Sequence, residues 1–146
     1  MIGYVVPFAI PEVIRHTNAF TLGVQTAHPG ATVKIVWTNS WFDPKKERQA
    51  AESLVSAGAD VIGQNVDSPA SGQYAESASI PWVGYDSNAQ SSAPKQWLTA
   101  AVYNWGPYYL SRVKAGMTVY LDSGSTIFFA AEAIAASGVP DRKSVV

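Results

Sequence analysis

Side chains able to grip a small polar molecule recur at one kind of place in this sequence. Aromatic rings, amides and carboxylates follow apolar runs at Pro7-Phe8, Asn39-Ser40-Trp41, Asn65-Val66-Asp67, Asp86 and Asn104-Trp105. A Trp or Phe ring offers a face on which a flat heterocycle stacks, and Asp and Asn hydrogen-bond its edge. The stretch Lys34–Glu52, KIVWTNSWFDPKKERQAAE, is the sharpest case: it sets Trp41 and Phe42 where a turn is ordinarily small and polar. Catalytic chemistry has less support. Asp67 and Asp86 are a carboxylate pair of the kind that does acid–base work, but no nucleophile or metal set accompanies them. There is no G-x-S-x-G elbow, phosphate-binding loop or H-E-x-x-H pair. His16 and His28 stand alone without metal-ligand spacing and are expected to be structural or solvated. A binding site is therefore expected, with no catalytic residue, metal or cofactor.

The elements that must carry these residues alternate between strand and helix. Ile2–Val6 is an apolar strand ended by Pro7, and Pro11 opens a helix over Pro11–Ala27 that Pro29-Gly30 ends. Val33–Trp37 is the second strand. Asp43 is the N-cap and Pro44 the first residue of a helix closed by Gly58, with Ala50, Ala51, Leu54 and Val55 at helical spacing. The third strand lies within Asp60–Val66, a short helix spans Ser68–Ser77, and strands follow over Pro81–Tyr85 and Leu98–Tyr103. A last helix begins over Pro107–Lys114. Such alternation implies right-handed βαβ units, a parallel sheet and helices on both faces. In open sheets of this type ligands bind beyond the carboxyl ends of the strands, where the residues above fall.

Composition narrows the field. The 146 residues fit one ordinary domain. A net charge of −1 with 14% charged residues excludes the basic stripe of a nucleic-acid binder. No apolar run is long enough to span a membrane. There is no cysteine, hence no disulfide framework or Cys-based metal site. Five Trp and seven Tyr on a weakly charged chain suit a small-molecule pocket.

Each candidate also has a plainer role. On the residues alone, Trp41 is an aromatic that packs its helix, and Phe42 is a packing residue. Asp86 reads as a turn residue and Asp67 as the N-cap of the helix that follows. Asn39 and Ser40 either contact ligand or satisfy their turn. Trp105 is either a second ring plate or a hinge packing residue. Lys45, Lys46, Glu47 and Arg48 form a mixed charge run, expected to be a solvated helix start.

The stretches IGYVVPFAIPEVIRHTNAFTLGVQ, WTNSWFDPKKERQAAESLVSAGADVIGQNVDSPA and VGYDSNAQSSAPKQWLTAAVYNWGPYY, in this order, resemble the basic membrane protein family of ABC-transporter substrate-binding proteins, similar to purine nucleoside receptors. The resemblance covers about Met1 to Lys114. It implies an α/β, Rossmann-like parallel sheet with flanking helices: one lobe, the second, of a two-lobed type I periplasmic-binding fold. Capture of a purine base or nucleoside would be followed by hinge closure, and delivery would be to an ABC-transporter permease. By the same resemblance Trp41 falls where an aromatic meets the base and Asp86 where a carboxylate binds polar groups. Asn104 and Trp105 fall near the hinge, where many members carry a Lys. That departure points to a free base such as adenine. Asp67 lies at the cleft lip. The intact protein is expected to be periplasmic or anchored at the cell surface, with the signal sequence and the first lobe outside this chain. One lobe alone is expected to bind purine weakly and to be marginally stable.

Beyond Lys114 the pattern changes. AGMTVYLDSGSTIFFAAEAIAASGVP resembles the sugar-phosphate-sensing domain of DeoR-type repressors, through a strand, the loop Asp122–Thr126 and a helix. Residues 115–140 are thus expected to be a separate strand–loop–helix, and 141–146, DRKSVV, to be a non-native tail encoded by a sequencing adapter, the alternative being an ordinary polar C-terminal tail. The alternative functions are a phosphosugar-sensing regulatory module using the Asp122–Thr126 loop and a small α/β enzyme.

Overall fold

Apolar residues that alternate sides along β1 (Ile2–Val6) divide the core in two. Tyr4 and Val6 face α1 (Pro11–Ala27), and Val5 faces the opposite layer. The structure, a computed structural model, describes residues 1–112. It divides into a unit over Met1–Val102 and a second beginning at Tyr103.

In the first unit β2 (Val33–Trp37), β3 (Val61–Gln64), β4 (Trp82–Asp86) and β5 (Trp97–Val102) join β1 in one sheet ordered β2-β1-β3-β4-β5. Every pairing is parallel. The chain steps from β1 outward to β2, then crosses back over β1 to β3. The connections after β1 and β3 therefore leave the sheet on opposite faces and open a crevice between those strand ends.

α1 starts at Pro11 without a side-chain cap. Its inner stripe is Val13, Thr17 and Phe20; the Phe20 ring stacks on Tyr4 at 4.3 Å, and the Thr17 hydroxyl donates to the Val13 carbonyl. α2 (Pro44–Ser56) is capped by Asp43, whose carboxylate accepts from the Lys46 N–H at 3.1 Å. Ala50, Ala51 and Leu54 pack it on Val5 and Ile62. α3 (Ala70–Ala78) presents Ser71, Gly72 and Ala75 to the same layer. These small residues leave room for the fully buried Trp82, which meets Trp97 edge-on at 5.2 Å. Only a 3-10 turn, Gln90–Ser92, interrupts the path from β4 to β5.

The second unit contributes α4 (Gly106–Arg112). Its Tyr109 N–H donates to the Trp105 carbonyl at 3.0 Å, and Tyr103, Trp105, Tyr108 and Tyr109 form one ring cluster.

The alternation of elements is as expected, with three corrections. Asp67 is not an N-cap: α3 begins two residues later than expected, after Pro69, and the Ser68 hydroxyl accepts the Ala70 N–H. Glu47 is not part of a solvated charge run but fully buried, because it lies on the same helical stripe as Ala50, Ala51 and Leu54. Phe42 is not a packing residue, being 63% exposed beyond the last residue of β2. The segment 115–146, with the Asp122–Thr126 loop, lies outside the described residues.

Two glycines on helices give opposite expectations. A Cβ on Gly72 would stand 2.5 Å from three atoms of the immobile Trp82 ring, whereas one on Gly23 meets nothing within 4 Å. Urea unfolding should show Gly72→Ala destabilised by about 1–3 kcal/mol from overpacking. Gly23→Ala should be stabilised by roughly 0.5–1 kcal/mol as a helix-interior residue. Equal effects of one sign would contradict this packing.

Candidate functional site

The rim at the carboxyl ends of the strands is built from loops whose backbones are tied together. β2 ends against β1: the Thr38 N–H donates to the Val6 carbonyl at 2.9 Å and the Asn39 N–H to the Pro7 carbonyl at 2.8 Å. Asn39 adopts φ 53°, a left-handed conformation that Asn tolerates better than most residues. The chain then turns to bring Trp41 edge-on to Phe8, with ring centroids 5.5 Å apart. Trp41 remains 42% exposed, so Phe8 steadies its ring while leaving part of it open.

The loop after β3 is fastened from below. Gln64 is buried, and its amide donates to the carbonyls of Val66 at 2.7 Å and Ser68 at 2.9 Å. The Ser71 hydroxyl donates to the Gln64 side-chain oxygen. Sideways, the Asp67 N–H donates to the Trp41 carbonyl at 3.0 Å, so the carboxylate and the ring stand on directly bonded loops. Beneath both lies Glu47. Its carboxyl accepts the Asp43 N–H at 2.9 Å and the Ser68 hydroxyl. Burial pushes the Glu47 carboxyl above the ordinary range, the Asp67 charge adds to this, and the Ser68 and Asp43 donors oppose it.

β4 ends on Asp86 at φ 69°. The Ser87 N–H donates to the Tyr85 carbonyl at 2.8 Å across it, closing a γ-turn of the rare kind with positive φ. Asp86 thus ends β4, and Asp67 lies in the loop that follows the adjacent β3. Loss of solvent raises the Asp67 carboxyl above its ordinary value of 3.8, and the negative charge of Asp86 raises it further. Across the crevice, His16 on α1 brings Nδ1 to 3.4 Å from the amide nitrogen of the buried Asn65, and its ring lies 6.3 Å from that of Tyr85.

Of the residues expected from sequence, Asn39, Trp41, Asp67 and Asp86 lie on strand-end loops of the first unit. Asn104 and Trp105 belong to the second. There Asn104 is exposed and Trp105 half-buried among tyrosines. Sequence reasoning missed Gln64, Ser68 and Glu47. Only Glu47 carried a signal, its place on the apolar stripe of α2. The others act through contacts made by distant or irregular backbone. Among the described residues no group of His, Cys, Asp and Glu is arranged to hold a metal, and no helix is long and apolar enough to cross a membrane. This rim can stack a ring and accept hydrogen bonds.

The folded protein holds the Asp67 proton more tightly than the unfolded chain does. Between 3.8 and the raised value it carries more protons than the unfolded chain, so this group's contribution to stability falls as pH rises through that window. Asp86→Asn removes the neighbouring charge. A carboxyl-carbon NMR titration should then show the Asp67 midpoint moving down toward 3.8. An unchanged midpoint would mean that the two carboxylates do not interact.

Residues 1–135 match the family model described as ABC transporter substrate-binding protein, PnrA-like, a match that runs past Lys114, where the sequence resemblance was expected to stop. A purine-binding protein of Brucella abortus (strain 2308) is 45% identical over 113 residues, 77% of this chain and 32% of that protein. A putative ABC transporter glucose-binding protein of Haloferax volcanii is 41% identical over 108 residues, 74% of this chain and 28% of that protein. The chain therefore spans about a third of the length of the curated relatives it matches. Among solved structures, an ABC transporter solute-binding protein from Conexibacter woesei superposes with a TM-score of 0.67 at 26% identity, over 75% of this chain and 37% of that one. The parallel sheet, the helices on both its faces and the family match agree: the chain belongs to the Bmp family of PnrA-like ABC transporter substrate-binding proteins.

Proposed function

We propose that this chain is one lobe of the extracytoplasmic solute-binding component of an ABC transporter, and that its strand-end rim is one wall of a site for a purine base. The observation that carries the reading is the joining of Trp41 and Asp67 by a backbone hydrogen bond, with Asp86 ending the next strand. An exposed indole face stacks a flat heterocycle. Two neighbouring carboxylates repel, and a ligand rich in N–H donors set between them offsets that repulsion. Adenine has this character, and the Brucella relative is named for purine binding. Asn39 contributes an amide at the rim. The ligand is held and released without bond chemistry, and the permease is the partner that receives it.

Glucose is the competing ligand, favoured by the Haloferax relative. A ring stacked under hydroxyl donors uses the same side chains, so the two are separated by experiment. A single wall buries little of any ligand, and affinity on the order of millimolar is expected for this chain. NMR shift mapping detects binding in that range. Adenine should shift the Trp41 indole N–H and the Asp67 and Asp86 amides, and Trp41→Ala should abolish the response. Because donors favour ionised Asp67, adenine affinity should fall as pH drops through the raised Asp67 midpoint. Shifts with glucose and none with adenine would replace the purine reading by a sugar one. Silence with both, at concentrations well above millimolar, would remove the rim as a ligand wall.

A further inference from the structure

We propose that Glu47 is the positioning residue of this rim: its buried carboxyl clamps the loop that carries Trp41 to the loop that carries Asp67, and so sets the spacing of the two ligand-facing groups. The inference rests on the reading of the rim as a ligand wall, and it concerns a side chain that does not itself face the ligand.

Glu47 stands one turn into α2, on a stripe fixed in the core by Ala50, Ala51 and Leu54. It is fully buried and is in no ion pair with Lys or Arg among the described residues. A buried carboxyl in that position is costly unless its oxygens are satisfied. They are satisfied by donors from two different loops. One oxygen accepts the Asp43 N–H at 2.9 Å, at the end of the Trp41 segment. The other accepts the Ser68 hydroxyl, beside Asp67. Ser68 cannot turn freely, because its oxygen also accepts the Ala70 N–H at 3.2 Å. The Asp67 N–H to Trp41 carbonyl bond closes the circuit. The chain thus runs in a ring from Trp41 through Asp43, Glu47, Ser68 and Asp67 back to Trp41.

A residue needed only to cap α2 has no use for the second loop, since Asp43 already accepts the Lys46 N–H. The bond to Ser68, 21 positions away in sequence, is what the capping role leaves unexplained. A carboxyl suits the task because both its oxygens accept. An amide keeps one acceptor and turns the other group into a donor.

The test is amide hydrogen exchange on the 146-residue chain carrying Glu47→Ala, Glu47→Gln or Ser68→Ala. In Glu47→Ala the Asp43 and Asp67 amides should exchange faster by about tenfold more than the β1 and β3 amides do, since local opening separates from global unfolding. Glu47→Gln, which keeps the acceptor for Asp43, should restore the Asp43 amide more than the Asp67 amide. Ser68→Ala should speed Asp67 and spare Asp43, and it decides the matter alone if Glu47→Ala does not fold. Loop and core amides accelerating by one common factor, or an Asp67 amide indifferent to Ser68→Ala, would overturn the proposal. Adenine shift mapping on the same variants should show at least tenfold weaker binding in Glu47→Ala and Ser68→Ala. Loss of the exchange pattern sinks the clamp. Absence of any adenine response in the unmodified chain sinks the ligand reading and leaves the clamp to the exchange data.

Discussion

Backbone that leaves a parallel sheet loses its ladder of partners, and every buried N–H and C=O beyond the last strand residue must be satisfied some other way. In this protein that constraint falls hardest on the segment after β3, which emerges beside the crevice with Asn65, Val66 and Ser68 all buried. The solution is a set of polar side chains that act as surrogate backbone. Gln64 donates to two carbonyls of the loop and is itself held by Ser71. Ser68 accepts the first N–H of α3 and donates to Glu47. Remove these groups and the loop has no reason to present Asp67 in one place.

The same arrangement explains why the rim is polar underneath and aromatic on top. Apolar packing fixes the helices: Leu54, Ile62 and Trp82 interlock below with no exposed surface. It cannot fix the loops, which are too short to bury an apolar face of their own. Directional bonds take over at that boundary, and the ring pair Phe8–Trp41 is added above them. The rim is thereby shaped in advance, so any partner it meets is spared part of the ordering cost.

The sheet and its flanking helices were largely legible in the sequence. Pro11, Asp43-Pro44 and Gly58 mark helix ends by mechanisms that act within a turn, and the first two strands and α1 fall where such signals put them. Strand-end placement of Asn39, Trp41, Asp67 and Asp86 followed from the connectivity of parallel sheets. What was not legible depended on tertiary contact. Glu47 looks like one of four charges in a row, and only its phase relative to Ala50 and Leu54 distinguishes it. Asp67 and Ser68 are adjacent and both are able to cap a helix. Pro69 and the pull of Glu47 on Ser68 decide between them. Phe42 has the composition of a core residue and the exposure of a surface one.

Asp86 and Asn39 share a backbone state that bears on how such a rim changes over generations. Both have positive φ at the ends of strands that flank the crevice. Bulkier side chains are strained there, so the tolerated alphabet is close to Asp, Asn and Gly. Within that alphabet Asp and Asn differ by a single base in the codon and by one unit of charge. Drift at these two positions therefore changes the charge of the rim while leaving the main chain undisturbed. Relatives on one scaffold can diverge in rim charge by exchanging an acid for its amide, with no loop to rebuild.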